Sequence, residues 1–115
     1  MTVTKEQTAA DLRAAAAVIR ERGWTKNAYI SPDGGCCVVG AIELATGVLS
    51  TDGSRMLGGS PRASRAYLQL WQAVRPIIRG GPIAWNDEVV ESAEQVIEKL
   101  EQVAAELEEQ SWASR

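Results

Sequence analysis

Gly34-Gly35-Cys36-Cys37-Val38-Val39-Gly40-Ala41-Ile42 is where this chain comes nearest to carrying a nucleophile. A cysteine that follows glycines and opens an apolar helix sits where a helix N-terminus favours a charged sulfur. Such a nucleophile also needs a base, most often histidine, and the chain contains none. The competing reading treats Cys36 and Cys37 as small buried apolar residues, the usual fate of free cysteines. That reading is preferred here.

Trp85-Asn86-Asp87 is the second polar constellation. It follows the turn Gly80-Gly81-Pro82 and precedes the last helical segment. Asn86 or Asp87 can satisfy free amides of the following helical turn while Trp85 anchors the turn in the core. The functional alternative makes Cys37, Trp85, Asn86 and Asp87 the lining of a candidate pocket. No two carboxylates are marked as an acid/base pair. Gly58-Gly59-Ser60 lacks the lysine of a phosphate loop, and Gly-x-Gly-x-x-Gly is absent. Adjacent cysteines rarely form a disulfide. Without imidazole or a Cys-x-x-Cys spacing, zinc has no ligand set. No metal, cofactor or catalytic residue is therefore expected.

The elements that position these residues read as helices. Thr4 with Gln7 forms a capping box that opens a first helix to about Arg22, with Leu12, Ala15, Ala16 and Ile19 on one face. Gly23 ends it, and Trp24 folds back over its last turn. Pro32-Asp33-Gly34-Gly35 is a strong turn signal, and the residues flanking it allow a very short hairpin. Residues 37 to about 46 form an almost uniformly apolar second helix whose only charge is Glu43. Its Gly40 lets another helix approach closely. Residues 47–61 make a long, mobile loop. Ser60-Pro61 opens a third helix that Pro76 interrupts, with Ala63, Ala66, Tyr67, Leu70 and Val74 inward. Ser92 with Gln95 opens a fourth, running to about Gln110 on a wide stripe of Val96, Ile97, Leu100, Val103, Ala104 and Leu107.

Charge is unevenly spread. Residues 53–86 hold five arginines and no acid, whereas residues 87–115 hold nine acids against Lys99 and Arg115. The plainer reading makes the third and fourth helices neighbours whose rims attract, each exposed pair contributing less than about 1 kcal/mol. The functional reading turns Arg62, Arg65, Tyr67 and Arg75 toward a phosphate or an acidic partner, with Trp71 also available for stacking. The overall net charge of −3 disfavours nucleic acid, whose binding modules are usually basic.

At 115 residues the chain is read as one domain, residues 1–115, large enough for its own core. Apolar residues make up 45%, yet aromatics are four Trp and two Tyr with no Phe, so Ala, Val, Leu and Ile must build that core. Such a core favours closely packed helices. No apolar run approaches the roughly 20 residues of a membrane span, and Met1-Thr2-Val3-Thr4-Lys5 does not open like a signal peptide. A cytoplasmic location and no membrane partner are expected.

The order Gly23-Trp24, Gly35-x-Cys37-x-x-Gly40-Ala41-Ile42, then Trp85-Asn86-Asp87 and a long amphipathic acidic helix resembles a family of small domains of unknown function from actinobacteria and their bacteriophages. The resemblance covers roughly residues 9–105, with Cys37 as the matching cysteine and Cys36 extra. It implies a bacterial or phage origin and supplies no activity. The resulting expectation is an all-α bundle of about four helices around the 37–47 helix. Its expected function is a non-catalytic protein-interaction module, a phage accessory protein acting on a host or phage protein, or on a second copy of itself. The alternatives are a nucleic-acid-binding protein that uses the third-helix arginines, and a small enzyme or ligand-binding protein with a pocket near Cys37 and Asn86. Trp112 either caps the core or meets a second subunit.

Overall fold

A computed structural model of the chain describes residues 2–50 and 58–113. Thr4 opens α1 (Lys5–Arg22) by the expected reciprocal cap: its hydroxyl accepts the Gln7 amide at 3.1 Å, and the Gln7 side chain accepts the Thr4 amide at 2.9 Å. Gly23, at φ 89°, turns the chain out of the helix while its amide still reaches Ile19 O at 2.9 Å. Leu12, Ala15, Ala16 and Ile19 are all buried, as the helical spacing predicts.

Residues 24–37 form no strand, and the expected very short hairpin is reduced to one antiparallel bridge, Ile30 with Cys36. A second isolated bridge, parallel, joins Trp24 to Cys36. Cys36 commits its backbone to the segment after α1, donating to Gly23 O at 3.0 Å and accepting from Thr25 at 3.1 Å. The next residue already caps a helix, so no second strand has room to extend.

That helix is α2 (Val38–Ala45), one residue shorter at its start than expected because Cys37 is its cap. The Cys37 sulfur accepts the Gly40 amide at 3.3 Å. Gly40 does permit a close approach, although of a loop and not of another helix. A Cβ at Gly40 would collide with the Tyr29 carbonyl, the same oxygen that accepts the Cys37 amide at 3.1 Å.

Ser60 caps α3 (Pro61–Val74), whose Ala66, Leu70 and Val74 are buried and whose Ala63 and Tyr67 are partly so. Pro76 ends it, as expected. A short α4 (Gly81–Ala84) runs directly into one π-helical turn, Trp85–Val89, closed by Val90 N to Trp85 O at 3.1 Å. The last helix, α5 (Ala93–Ala113), extends three residues beyond its expected end. Its start is held by Ser92, which accepts the Gln95 amide at 3.4 Å, and by Gln95, which reaches back to the Glu91 amide at 2.6 Å. The reciprocal cap is thus shifted by one residue on its return leg.

The molecule is all-α: five helices and no strand among the described residues. α1 and α5 make the most extensive helix contact, and α2 packs on α1 within the same core. The segregated charge is neutralised differently from the expected pairing of α3 with α5. Arg13 meets Glu108 and Arg20 meets Glu101, so the acidic α5 pairs with α1. The α3 residue Arg62 instead grips Asp11 of α1 with two guanidinium nitrogens. The α1–α5 contact decides this, because acids on α5 lie within reach of α1 side chains. No described helix is long and apolar enough to cross a membrane. Residues 51–57 of the expected loop, and with them Arg55, lie outside the described residues, as does Arg115.

Gly40→Ala is expected to lower the melting temperature by several degrees. The lost close approach costs about 1–3 kcal/mol, more than the roughly 1 kcal/mol of helix propensity regained. Thermal unfolding followed by circular dichroism reads the sign directly. An unchanged or raised midpoint contradicts this packing.

Candidate functional site

The Trp-Asn-Asp segment and the cysteine segment meet, as a pocket reading requires, but Asn86 faces inward. It is fully buried, and its amide uses all four hydrogen-bonding positions. Asn86 Oδ1 accepts from Trp24 Nε1 at 2.8 Å and from the Val38 amide at 3.0 Å. Its Nδ2 donates to Thr25 O at 3.1 Å and to Asp87 Oδ1 at 3.0 Å. Asp87 Oδ1 also accepts the amide of Asn27, which sits at φ 64°. Asn86 therefore does satisfy an orphan helix amide, but that of α2 and not that of the following helix. The π turn supplies the extra residue that aims it there. Trp24 packs against the core and turns its indole N–H to this amide, with Lys26 Nζ 5.5 Å from its ring centroid.

Both thiols are buried. Burial pushes Cys36 up to about 11, and burial also pushes Cys37 above the ordinary thiol range despite the Gly40 amide on its sulfur. Burial thus works against the thiolate that the helix-start position suggested. Among the described residues no three His, Cys, Asp or Glu side chains are grouped to hold a metal.

Cys37 and Asp87 nonetheless line a hollow of about 410 Å³, together with Asn27, Ala28, Tyr29 and Ile83. Trp85 and Asn86, both buried, are not among its lining residues; Trp85 instead lines a separate hollow with Val90, Gln95 and Gln102. A second hollow of about 520 Å³ shares Tyr29 and Ile83 with the first and continues over α2 and α3 past Val39, Tyr67 and Leu68. Tyr29, Leu68 and Ile83 are among the exposed large apolar side chains. The two hollows thus form one apolar groove with Tyr29 and Ile83 at its middle.

Glu43 lines the second hollow, and its Oε2 is shielded from solvent with no hydrogen-bond partner among the described residues. Burial raises its pKa above the ordinary carboxylate range. Only one signal in the sequence pointed to Glu43: it is the single charge in an otherwise apolar helix. Tyr29, Leu68 and Ile83 carried no signal, since nothing in their spacing says which face is left uncovered.

The expected arginine face is split: Arg62 and Arg65, three residues apart on α3, lie toward α1, whereas Tyr67 faces the groove. Arg62 is engaged with Asp11, whose side chain is only 3% exposed. Arg65 lies beside Lys5, Thr8, Gln69 and Leu107 on the α1–α5 side. Tyr67, about 140° around the helix from Arg62, faces the groove. It packs edge-on against Trp71 with centroids 5.8 Å apart. Trp71 in turn covers Gly81, where a Cβ would strike its ring. Arg75 is exposed at the end of α3. Trp112 is 74% exposed, beside a Ser111 that donates to Glu6 from the end of α5.

Glu43 yields a signed pH dependence. A carboxyl whose folded pKa is raised opposes folding above that pKa, and the cost vanishes below its unfolded value. Glu43→Gln is therefore expected to be more stable than the parent at pH 7. The difference shrinks toward zero as pH falls through the raised pKa to below the ordinary carboxylate range. Melting temperatures of the two proteins from pH 7.5 to 3.5 test it. A variant less stable at pH 7 contradicts a carboxylate that its partly buried position disfavours.

No curated protein and no solved structure matches the chain. Residues 3–106 match a family described as "Family of unknown function (DUF6197)", which takes in the capped α1, both cysteines, the buried Asn86 and most of α5. The chain belongs to that family of unknown function.

Proposed function

We propose that this protein is a non-catalytic interaction module whose partner-binding face is the groove centred on Tyr29 and Ile83. One observation carries the reading: two adjoining hollows, of about 410 and 520 Å³, are rimmed by the exposed apolar side chains Tyr29, Leu68 and Ile83. Clustered exposed apolar surface of this kind marks interaction sites. The buried thiols, whose charged form burial disfavours, support a non-catalytic role. The partner is a bacterial or phage protein in the cytoplasm, an origin that rests on the resemblance in the motifs.

The groove replaces the arginine face as the leading contact surface, because Arg62 is needed to neutralise a buried Asp11. Reversal of Arg62 would set two carboxylates against each other and disturb the fold. Charge reversal is better made at Arg65 and Arg75, both exposed.

The test is retention of a bacterial lysate protein on the immobilised chain, with and without nuclease, read by mass spectrometry. The parent is compared with Leu68→Asp/Ile83→Asp and with Arg65→Glu/Arg75→Glu. The expected result is a protein kept after nuclease, lost from the groove variant and kept by the arginine variant. Loss with nuclease, or in the arginine variant alone, would replace this reading with nucleic-acid binding.

A further inference from the structure

The groove has a chemical polarity that narrows its occupant. Glu43 brings to it a carboxylate whose Oε2 is shielded from water and unpartnered among the described residues. Asp87 lines the adjoining hollow. An ionised group in such surroundings is expensive unless it is paired, and neither hollow has a lysine or arginine among its described lining residues. Of the described basic residues nearest in sequence, Arg62 grips Asp11 and Lys26 lies over Trp24, while Arg55 lies outside the described residues.

Apolar side chains make up most of the lining around this carboxylate, with Ser60 and Ser64 beside them. Val39, Ile42, Val48, Ala63, Tyr67 and Leu68 share its hollow, and Tyr29 and Ile83 lead onward to the second. A small amine could fill one hollow only. A peptide carrying apolar side chains on both flanks of a cation would span both and cover the exposed Tyr29, Leu68 and Ile83 together.

We infer that the groove receives a peptide segment of a partner protein bearing a lysine or arginine between apolar side chains, with the cationic head meeting Glu43 and the flanks seated against Tyr29, Leu68 and Ile83. This rests on the reading of the groove as the partner-binding face. Glu43 sets specificity in it: the apolar walls supply contact area, and the carboxylate selects the charge.

The experiment selects peptides from a random dodecapeptide display library on the full-length protein. Enriched sequences are then measured as synthetic peptides against the parent, Glu43→Gln and Leu68→Asp. The expected consensus has one Lys or Arg flanked by apolar residues. Its affinity falls at least about tenfold in Glu43→Gln, as for a lost charge-assisted hydrogen bond, and is abolished in Leu68→Asp. Replacing the peptide's basic residue with norleucine should cost as much on the parent and little on Glu43→Gln. Peptides that need Leu68 but carry no basic residue, or that ignore Glu43→Gln, overturn the inference and leave the groove reading standing. Peptides indifferent to Leu68→Asp, or no enrichment at all, overturn both.

Discussion

The fold depends on one buried amide. Asn86 joins the segment after α1, the first turn of α2 and the π turn after α4 through four hydrogen bonds of 2.8–3.1 Å. Two of those bonds take backbone groups, the Val38 amide and the Thr25 carbonyl, which burial without a partner would penalise. An aspartate could not donate to Thr25, and a leucine could answer none of the four. The network also explains why a π turn persists beside a well-formed short helix. The extra residue places Trp85 in the core and Asn86 under α2 at once.

The cysteine segment follows from the same constraint. With Val38 anchored by Asn86, Cys37 is fixed as the helix cap and Gly40 is pressed against the Tyr29 carbonyl. That close approach holds the Tyr29 loop beside α2. Tyr29 then stands at the junction of the two hollows, opposite Ile83 of α4. The polar motif thus shapes the groove without lining most of it. The described lining of the groove is mostly apolar, and both thiols are buried.

Much of the fold was legible in the sequence because it is written in local signals. Thr4 with Gln7, Ser60 before Pro61, and the stripes of α1, α3 and α5 each act within a turn or two of chain. The errors arose where a residue's partner lies far away. Asn86 caps a helix 48 positions earlier, and Trp24 donates across 62 positions. Spacing within a segment cannot reveal either bond. Arg62 looked like a free surface cation because its neutralising Asp11 lies on another helix. Gly40 announced a close approach without naming the loop that makes it. The groove was the least legible feature, since exposure of Tyr29, Leu68 and Ile83 depends on which helix faces remain uncovered after α1, α2 and α5 have packed.

Amide hydrogen exchange at Val38, followed in the parent and in Asn86→Ala, tests the central dependence most directly. The Val38 amide belongs to the first turn of a helix, where exchange is ordinarily fast because no intrahelical carbonyl accepts it. The account predicts protection in the parent close to that of the core amides of α1. It also predicts loss of that protection in Asn86→Ala, together with faster exchange of the Trp24 indole N–H. Rapid exchange of Val38 in the parent, or protection that survives the substitution, would contradict Asn86 as the tie on which the fold and its groove depend.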